Sequence, residues 1–163
     1  SMQKAIEIDS KNTQILYWMG EINYSMKKFD DAISSYKKFF DAFAAEDSVM
    51  KVKLDSYRGD ASYKMGKIYL DEKKKYADAA GYFKTALQVN KDDFESMLNL
   101  GFAYYKNKSY ADAVTVFNDY MTKTSVEMSA LYYMLADCYT RMKKDNDAIK
   151  AYDKAKELEK QGK

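Results

Sequence analysis

The chain has 163 residues, 27 basic and 25 acidic side chains for a formal charge of +2, and neither proline nor histidine. At the usual frequency of about 5% such a chain would carry roughly eight prolines, so turn-rich β-sandwiches are disfavoured, and without histidine there is no His-containing triad, His-ligated metal or His proton shuttle. The near-neutral balance gives no reason to expect nucleic acid, which needs a concentrated positive surface; the mean hydropathy is −0.63, and no apolar run approaches the roughly 20 residues that span a bilayer.

The opening, SMQKAIEIDSKN, lacks the charged, apolar and small-residue succession of a signal peptide. Its Ser-Met start implies a natural chain that begins further upstream. From there the sequence repeats itself. The first copy runs from MGEINY around Gly20 through MKKFDDA to Ala32 and Tyr36. An excess around DSVMKVKLDSYRG follows, in which Leu54, Tyr57, Ala61, Met65 and Ile68 keep helical spacing. It predicts an N-terminal extension of the next helix, capped by Asp47 or Ser48. That extension is either a packing variant or a projecting element that alters curvature or touches a partner.

The second copy runs from MGKIYL around Gly66 through KKKYADA to Ala79 and Phe83, and the third from LGFAYY around Gly101 through KNKSYADA to Ala113 and Phe117. A fourth reads LADCYT around Ala136, then MKKDNDA, Ala148 and Tyr152. The leading small residues are separated by 46, 35 and 35 residues, and the step from each to its alanine is 12, except 13 in the second copy. Apolar residues within each copy recur at i, i+3, i+4 and i+7, so each copy is predicted to be a helical hairpin. At every turn Lys follows one stripe and Asp precedes the next, as the helix dipoles favour. The links EIDSKN, QVNKDD and TKTSVE supply Asn, Asp and Ser, which start helices.

This pattern resembles the tetratricopeptide repeat, a helix-turn-helix unit of about 34 residues. The resemblance rests on the Gly/Ala column of the first helix, the Tyr69, Tyr104 and Tyr139 column, the turn aromatics Phe29, Tyr76 and Tyr110, and the alanine and ring columns above. Asn23 and Asp145 depart from it, and the family's terminal proline is missing throughout. It implies an all-α, right-handed superhelical solenoid of antiparallel helix-turn-helix repeats. The repeats would occupy 13–46, 59–93, 94–128 and 129–163, the last with a polar helix end, with 47–58 as the insertion. KAIEIDSKN is similar to the family's repeat endings, so residues 1–12 are expected to be the tail of a preceding repeat.

In such a solenoid the first helices line a concave surface. By resemblance, the inward-facing positions form three stripes. The first is Tyr17, Tyr63, Leu98 and Tyr133, the second Glu21, Lys67, Phe102 and Asp137, the third Tyr24, Leu70, Tyr105 and Thr140. Tyrosine suits binding hot spots because it combines apolar area, a polar tip and few rotors; alternatively, these rings simply pack across adjacent helices. The Lys-Asn-Arg clamp with which some family members hold an acidic peptide terminus is not present, since Asn99 matches alone and Met134 stands where a basic residue is needed.

The expected function is therefore a non-catalytic protein-protein scaffold that holds a segment of another protein in an aromatic-lined groove. The alternative is a self-assembling solenoid forming homo-oligomers, since the last helix presents Ala151, Tyr152, Ala155 and Leu158 on one stripe. No nucleophile motif, phosphate loop or metal-ligand cluster stands in the sequence, so no cofactor is expected. Turn lysines such as Lys27, Lys74, Lys108 and Lys143 would line one edge, though helix-end compensation explains them. Arg58-Gly59-Asp60 and Asn107-Lys108-Ser109 spell known motifs by coincidence, and Cys138 is expected to pack as a small core residue. One cysteine leaves the compartment undetermined.

Overall fold

The computed structural model describes residues 2–162, with side chains from Asn12 onward. These residues form α-helices, turns and no strand. Helix α1 (Met2–Ser25) pairs with α2 (Phe29–Ala45), α3 (Ser48–Lys67) with α4 (Tyr76–Val89), α5 (Phe94–Lys106) with α6 (Tyr110–Thr124), and α7 (Ser129–Arg141) with α8 (Asp145–Lys160). Each hairpin then stacks on the next through α2 and α3, α4 and α5, and α6 and α7, which makes a solenoid. Among the described residues no helix is long and apolar enough to cross a membrane.

The glycine and ring columns close each hairpin. A Cβ on Gly66 would lie 2.6 Å from Cε1 of Phe83, and the same ring-on-glycine contact joins Gly20 to Tyr36 and Gly101 to Phe117. Those three rings are fully buried. In the fourth hairpin Ala136 carries the methyl group that glycine lacks, and the ring expected to pack there, Tyr152, turns outward instead. It is 45% exposed and sits edge-on to Tyr133 at 5.6 Å.

Lysine does more at the turns than balance a dipole. Lys27, Lys74, Lys108 and Lys143 all adopt φ between 54° and 62°, the left-handed position after a helix that glycine usually takes. The following N–H donates back to the helix in each case: Lys28 to the Asn23 carbonyl, Lys75 to Tyr69, Ser109 to Tyr104 and Lys144 to Tyr139, all at 2.9 Å. Four copies of the same helix stop thus orient four hairpins alike.

The thirteen-residue step of the second copy has a structural cause. Residues Ile68–Glu72 form a π-helical turn, in which the Lys73 N–H reaches the Ile68 carbonyl five residues back at 3.0 Å. A π turn accommodates one extra residue without ending the helix. The added residue returns Lys74 to the register that Lys27, Lys108 and Lys143 hold.

Two helix starts are capped by aspartate, Asp47 accepting from the Met50 N–H at 2.8 Å and Asp93 from the Ser96 N–H at 3.1 Å. The excess segment lies within α3: Leu54 is buried, Lys51 donates to the Ala44 carbonyl at 2.8 Å, and Arg58 lies 5.5 Å above the Phe43 ring. The link EIDSKN differs from its expected role, because α1 runs through it unbroken. Its Asp9, Ser10 and Asn12 therefore start no new helix. The core forms two clusters, one spanning α1 to α5 and the other α5 to α8, and Phe102 and Tyr104 pack against both.

Candidate functional site

The first helices of the hairpins, α1, α3, α5 and α7, carry the predicted inward-facing residues, and a tyrosine-carboxylate bond ties each to the next. Tyr17 donates to Asp60 Oδ2 at 2.7 Å, Tyr63 to Glu95, and Tyr105 to Asp137 Oδ2 at 2.8 Å. The sequence reading did not pair these tyrosines with the next repeat's acids. A tyrosine about 32 or 43 residues before a carboxylate was the available signal.

Tyr17 is only 6% exposed and Leu70 7%, so both belong to the core. Leu70 stands in the π turn. Glu21 is occupied by a half-buried network. It accepts from Tyr36 at 2.5 Å and from Lys64, which also donates to Asp60 at 2.8 Å. Burial, then the bonded carboxylates, push the Tyr17 and Tyr36 phenols far above their ordinary range. Burial opposes the charge on Lys64, but the bonds to Asp60 and Glu21 outweigh it and raise its pKa. Tyr24 lies edge-on to Phe29 with the Lys64 ammonium 5.8 Å from its ring centre, and burial raises its pKa.

Leu70 also borders a cavity, and most of the other predicted residues divide over three of them. Lys67, Leu70, Phe102 and Tyr105 come together around one of about 560 Å³, where Asn99 and Met134 complete the wall. Tyr63 lines a second, of about 420 Å³, beside Asp60, Asp93 and Glu95. Tyr133, Asp137 and Thr140 border a third of about 420 Å³ with the outward-turned Tyr152. Leu98 packs against the second core cluster.

The cavity at Phe102 joins three successive hairpins, taking residues from α3 and its π turn, α5 and α7. Phe102 is held edge-on to Phe117 at 5.6 Å. Tyr105 is fixed by its bond to Asp137, which together with burial raises its pKa to about 12. Lys67 is bridged to Asp71 at 2.7 Å and reaches the Asn99 side-chain oxygen at 3.4 Å. Such a site offers an aromatic floor with polar groups of both signs at its rim.

A further cavity, of about 380 Å³, opens on the side of the second helices between Phe40, Ser62 and Tyr82. Sequence reasoning missed it, because Phe40 and Tyr82 face each other, 6.2 Å apart and stacked, only once α2 lies beside α4. The motif-like tripeptides bond locally: Arg58 bonds Asp55 at 2.7 Å within α3, and Asn107 bonds Ser109 at 3.1 Å within its exposed turn. Cys138 is buried, which pushes its thiol up to about 11.

No curated protein matches the chain in sequence. Among solved structures, the C-terminal TPR-containing domain of an FK506-binding protein from Plasmodium falciparum superposes with a TM-score of 0.70 at 15% identity, covering 86% of this chain and 95% of that one. YrrB, described as a TPR protein with an unusual peptide-binding site, gives 0.69 at 19% identity over 94% of this chain and 72% of its own. MamA gives 0.68 at 21% identity over 98% and 85%. These likenesses show the fold. Tetratricopeptide repeat profiles match residues 14–44, 63–127 and 129–161, and with its four stacked hairpins the chain belongs to the tetratricopeptide repeat family.

Proposed function

We propose that the chain is a non-catalytic scaffold that holds a segment of another protein along α3, α5 and α7, with an apolar side chain of the segment seated on Phe102. The observation that carries this reading is the cavity of about 560 Å³ shared by three consecutive hairpins, with Phe102 and Tyr105 in its wall and Lys67 and Asn99 at its polar side. A concave apolar floor with few convergent polar groups is the usual make-up of a recognition site. The mixed signs of Lys67, Asp71, Lys74 and Lys106 around it suit a segment with charges of both signs. The peptide-binding site for which YrrB is described makes peptide capture a role this fold can serve.

The test begins with peptides selected from a displayed library on the immobilised chain. Binding to Tyr105→Ala and Lys67→Ala should weaken about tenfold or more, with helical circular dichroism preserved and binding to Tyr82→Ala unchanged. Peptides that bind both groove variants normally and are lost with Tyr82→Ala would move the site to the opposite side.

A further inference from the structure

The second copy carries one residue that the other copies lack. Counting forward from Gly66, Leu70 falls in step with Tyr24, Tyr105 and Thr140; counting back from the left-handed Lys74, Glu72 falls in step with Ser25, Lys106 and Arg141. The residue left between them is Asp71, inside the π turn. Such turns inserted in α-helices are frequent at functional sites, and this one delivers its added side chain to the wall of the cavity at Phe102.

Asp71 is the only carboxylate among the residues that line this cavity, which include Lys67, Lys74 and Lys106. Its Oδ2 accepts from Lys67 at 2.7 Å, and the same ammonium reaches the Asn99 side-chain oxygen at 3.4 Å. The Asp71 side chain is 48% exposed, and its second oxygen makes no bond among the described residues. Lys106 lies 5.9 Å from the centre of the Tyr105 ring, and Lys74 bonds no side chain among the described residues. Without Asp71 the wall would present three lysines and suit an acidic segment. With it, Lys67 is neutralised and a free carboxylate oxygen stands beside aromatic rings, whose faces also favour a cation.

We propose that Asp71 sets the charge preference of the groove: it accepts a lysine or arginine beside the apolar side chain seated on Phe102, and turns away a segment with an acid at that place. This rests on the reading of the cavity as the site of the bound segment. Lys67 is then part of the wall, fixed between Asp71 and Asn99, while acids elsewhere along the segment meet Lys74 and Lys106. Discrimination comes from both signs, since a like charge brought against Asp71 costs more than an exposed pair gains.

The test uses a peptide selected from a displayed library on the unaltered chain, together with its charge-reversed form, in which Glu replaces the basic residue beside the apolar anchor. Both are titrated at low salt into the unaltered chain, Asp71→Asn and Asp71→Lys, with helicity followed by circular dichroism. Charge reversal should weaken binding to the unaltered chain about tenfold; Asp71→Asn should narrow the difference to about twofold, and Asp71→Lys should invert it. A merely structural role for Asp71 gives no inversion, and if Asp71→Lys loses helicity the comparison with Asp71→Asn decides. A preference absent from the unaltered chain, or the same in every folded variant, overturns the proposal, as does selection of peptides with an acid beside the anchor. Tyr105→Ala reads the underlying site separately. If it weakens both peptides while the charge preference ignores Asp71, only this inference fails; if it binds both normally, the site itself fails and the inference with it.

Discussion

Tyr105 on α5 donates its phenolic proton to Oδ2 of Asp137 on α7 across 2.8 Å, while Oδ1 of the same carboxylate accepts from Arg141 at 3.3 Å. The bond stands at the rim of the cavity that Phe102 lines and fixes the distance between two hairpins that otherwise touch sparingly through α6 and α7. Because Leu98 replaces the tyrosine found at Tyr17 and Tyr63, this junction uses a tyrosine two turns further on to make the same kind of tie. Tyr105→Phe and Asp137→Asn should each destabilise the chain by about 1 kcal/mol, and the double variant by less than their sum. Urea titration of the four proteins checks this; additive losses would mean the two groups act independently.

The glycine columns make a paired prediction. Gly66→Ala drives a methyl group into the Phe83 ring and should cost about 1–3 kcal/mol. Gly81→Ala in α4 meets nothing within 4 Å and should gain about 0.5–1 kcal/mol by reducing the freedom of the unfolded chain. Thermal melts moving in opposite directions are the expected outcome, and equal shifts would contradict the packing.

The left-handed lysines lead to a stabilising change. At φ 62° Lys108 holds a conformation that disfavours any side chain, so Lys108→Gly should raise stability by about 1 kcal/mol without altering the spectrum of the folded state. Applied also at Lys27 and Lys143, the gains should add, since the turns are separate. A destabilised Lys108→Gly would show that the lysine side chain contributes more than its backbone costs.

Alkaline pH should unfold the protein early. The bond to Asp137 and burial raise Tyr105 to about 12, and burial raises Tyr82 to about 12, while Tyr17, Tyr36 and Tyr63 go higher still. In the unfolded chain the same phenols ionise near 10. Above that pH the folded state therefore binds more protons than the unfolded one, and stability falls as pH rises from about 10 toward 12. Below pH 10 these tyrosines contribute no pH dependence. Helicity and phenolate absorbance measured together should show part of the tyrosines ionising only as the helices melt; ionisation of all sixteen near pH 10 in a folded chain would contradict this.

Much of the architecture was legible because it depends on short-range periodicity. The Gly20, Gly66 and Gly101 column and its rings could be read directly, since each glycine exists to admit a ring. The extra residue of the second copy was visible as a thirteen-residue step, yet nothing in IYLDE distinguishes a π turn from a longer loop. Helix-end charge accounts for the turn lysines in the sequence, while their backbone conformation carries no composition signal once lysine takes the place of glycine. The groove was less legible. Tyr17 and Tyr63 occupy the same place in the repeat, but Tyr17 is buried by Phe39 and by Tyr57 from the lengthened α3, whereas Tyr63 is only partly buried. Periodicity identifies a helix face without saying how deeply its neighbour covers it.

A protein segment lying along α3, α5 and α7 over Phe102 would leave its mark on the residues that wall the cavity. Amide and side-chain NMR shifts of the labelled chain, followed while a selected peptide is added, read those residues one by one. The largest changes are expected on Lys67, Asn99, Phe102, Tyr105 and Met134, with little at Phe40 and Tyr82. Changes centred on Phe40, Ser62 and Tyr82, or confined to α1, would contradict the proposed role.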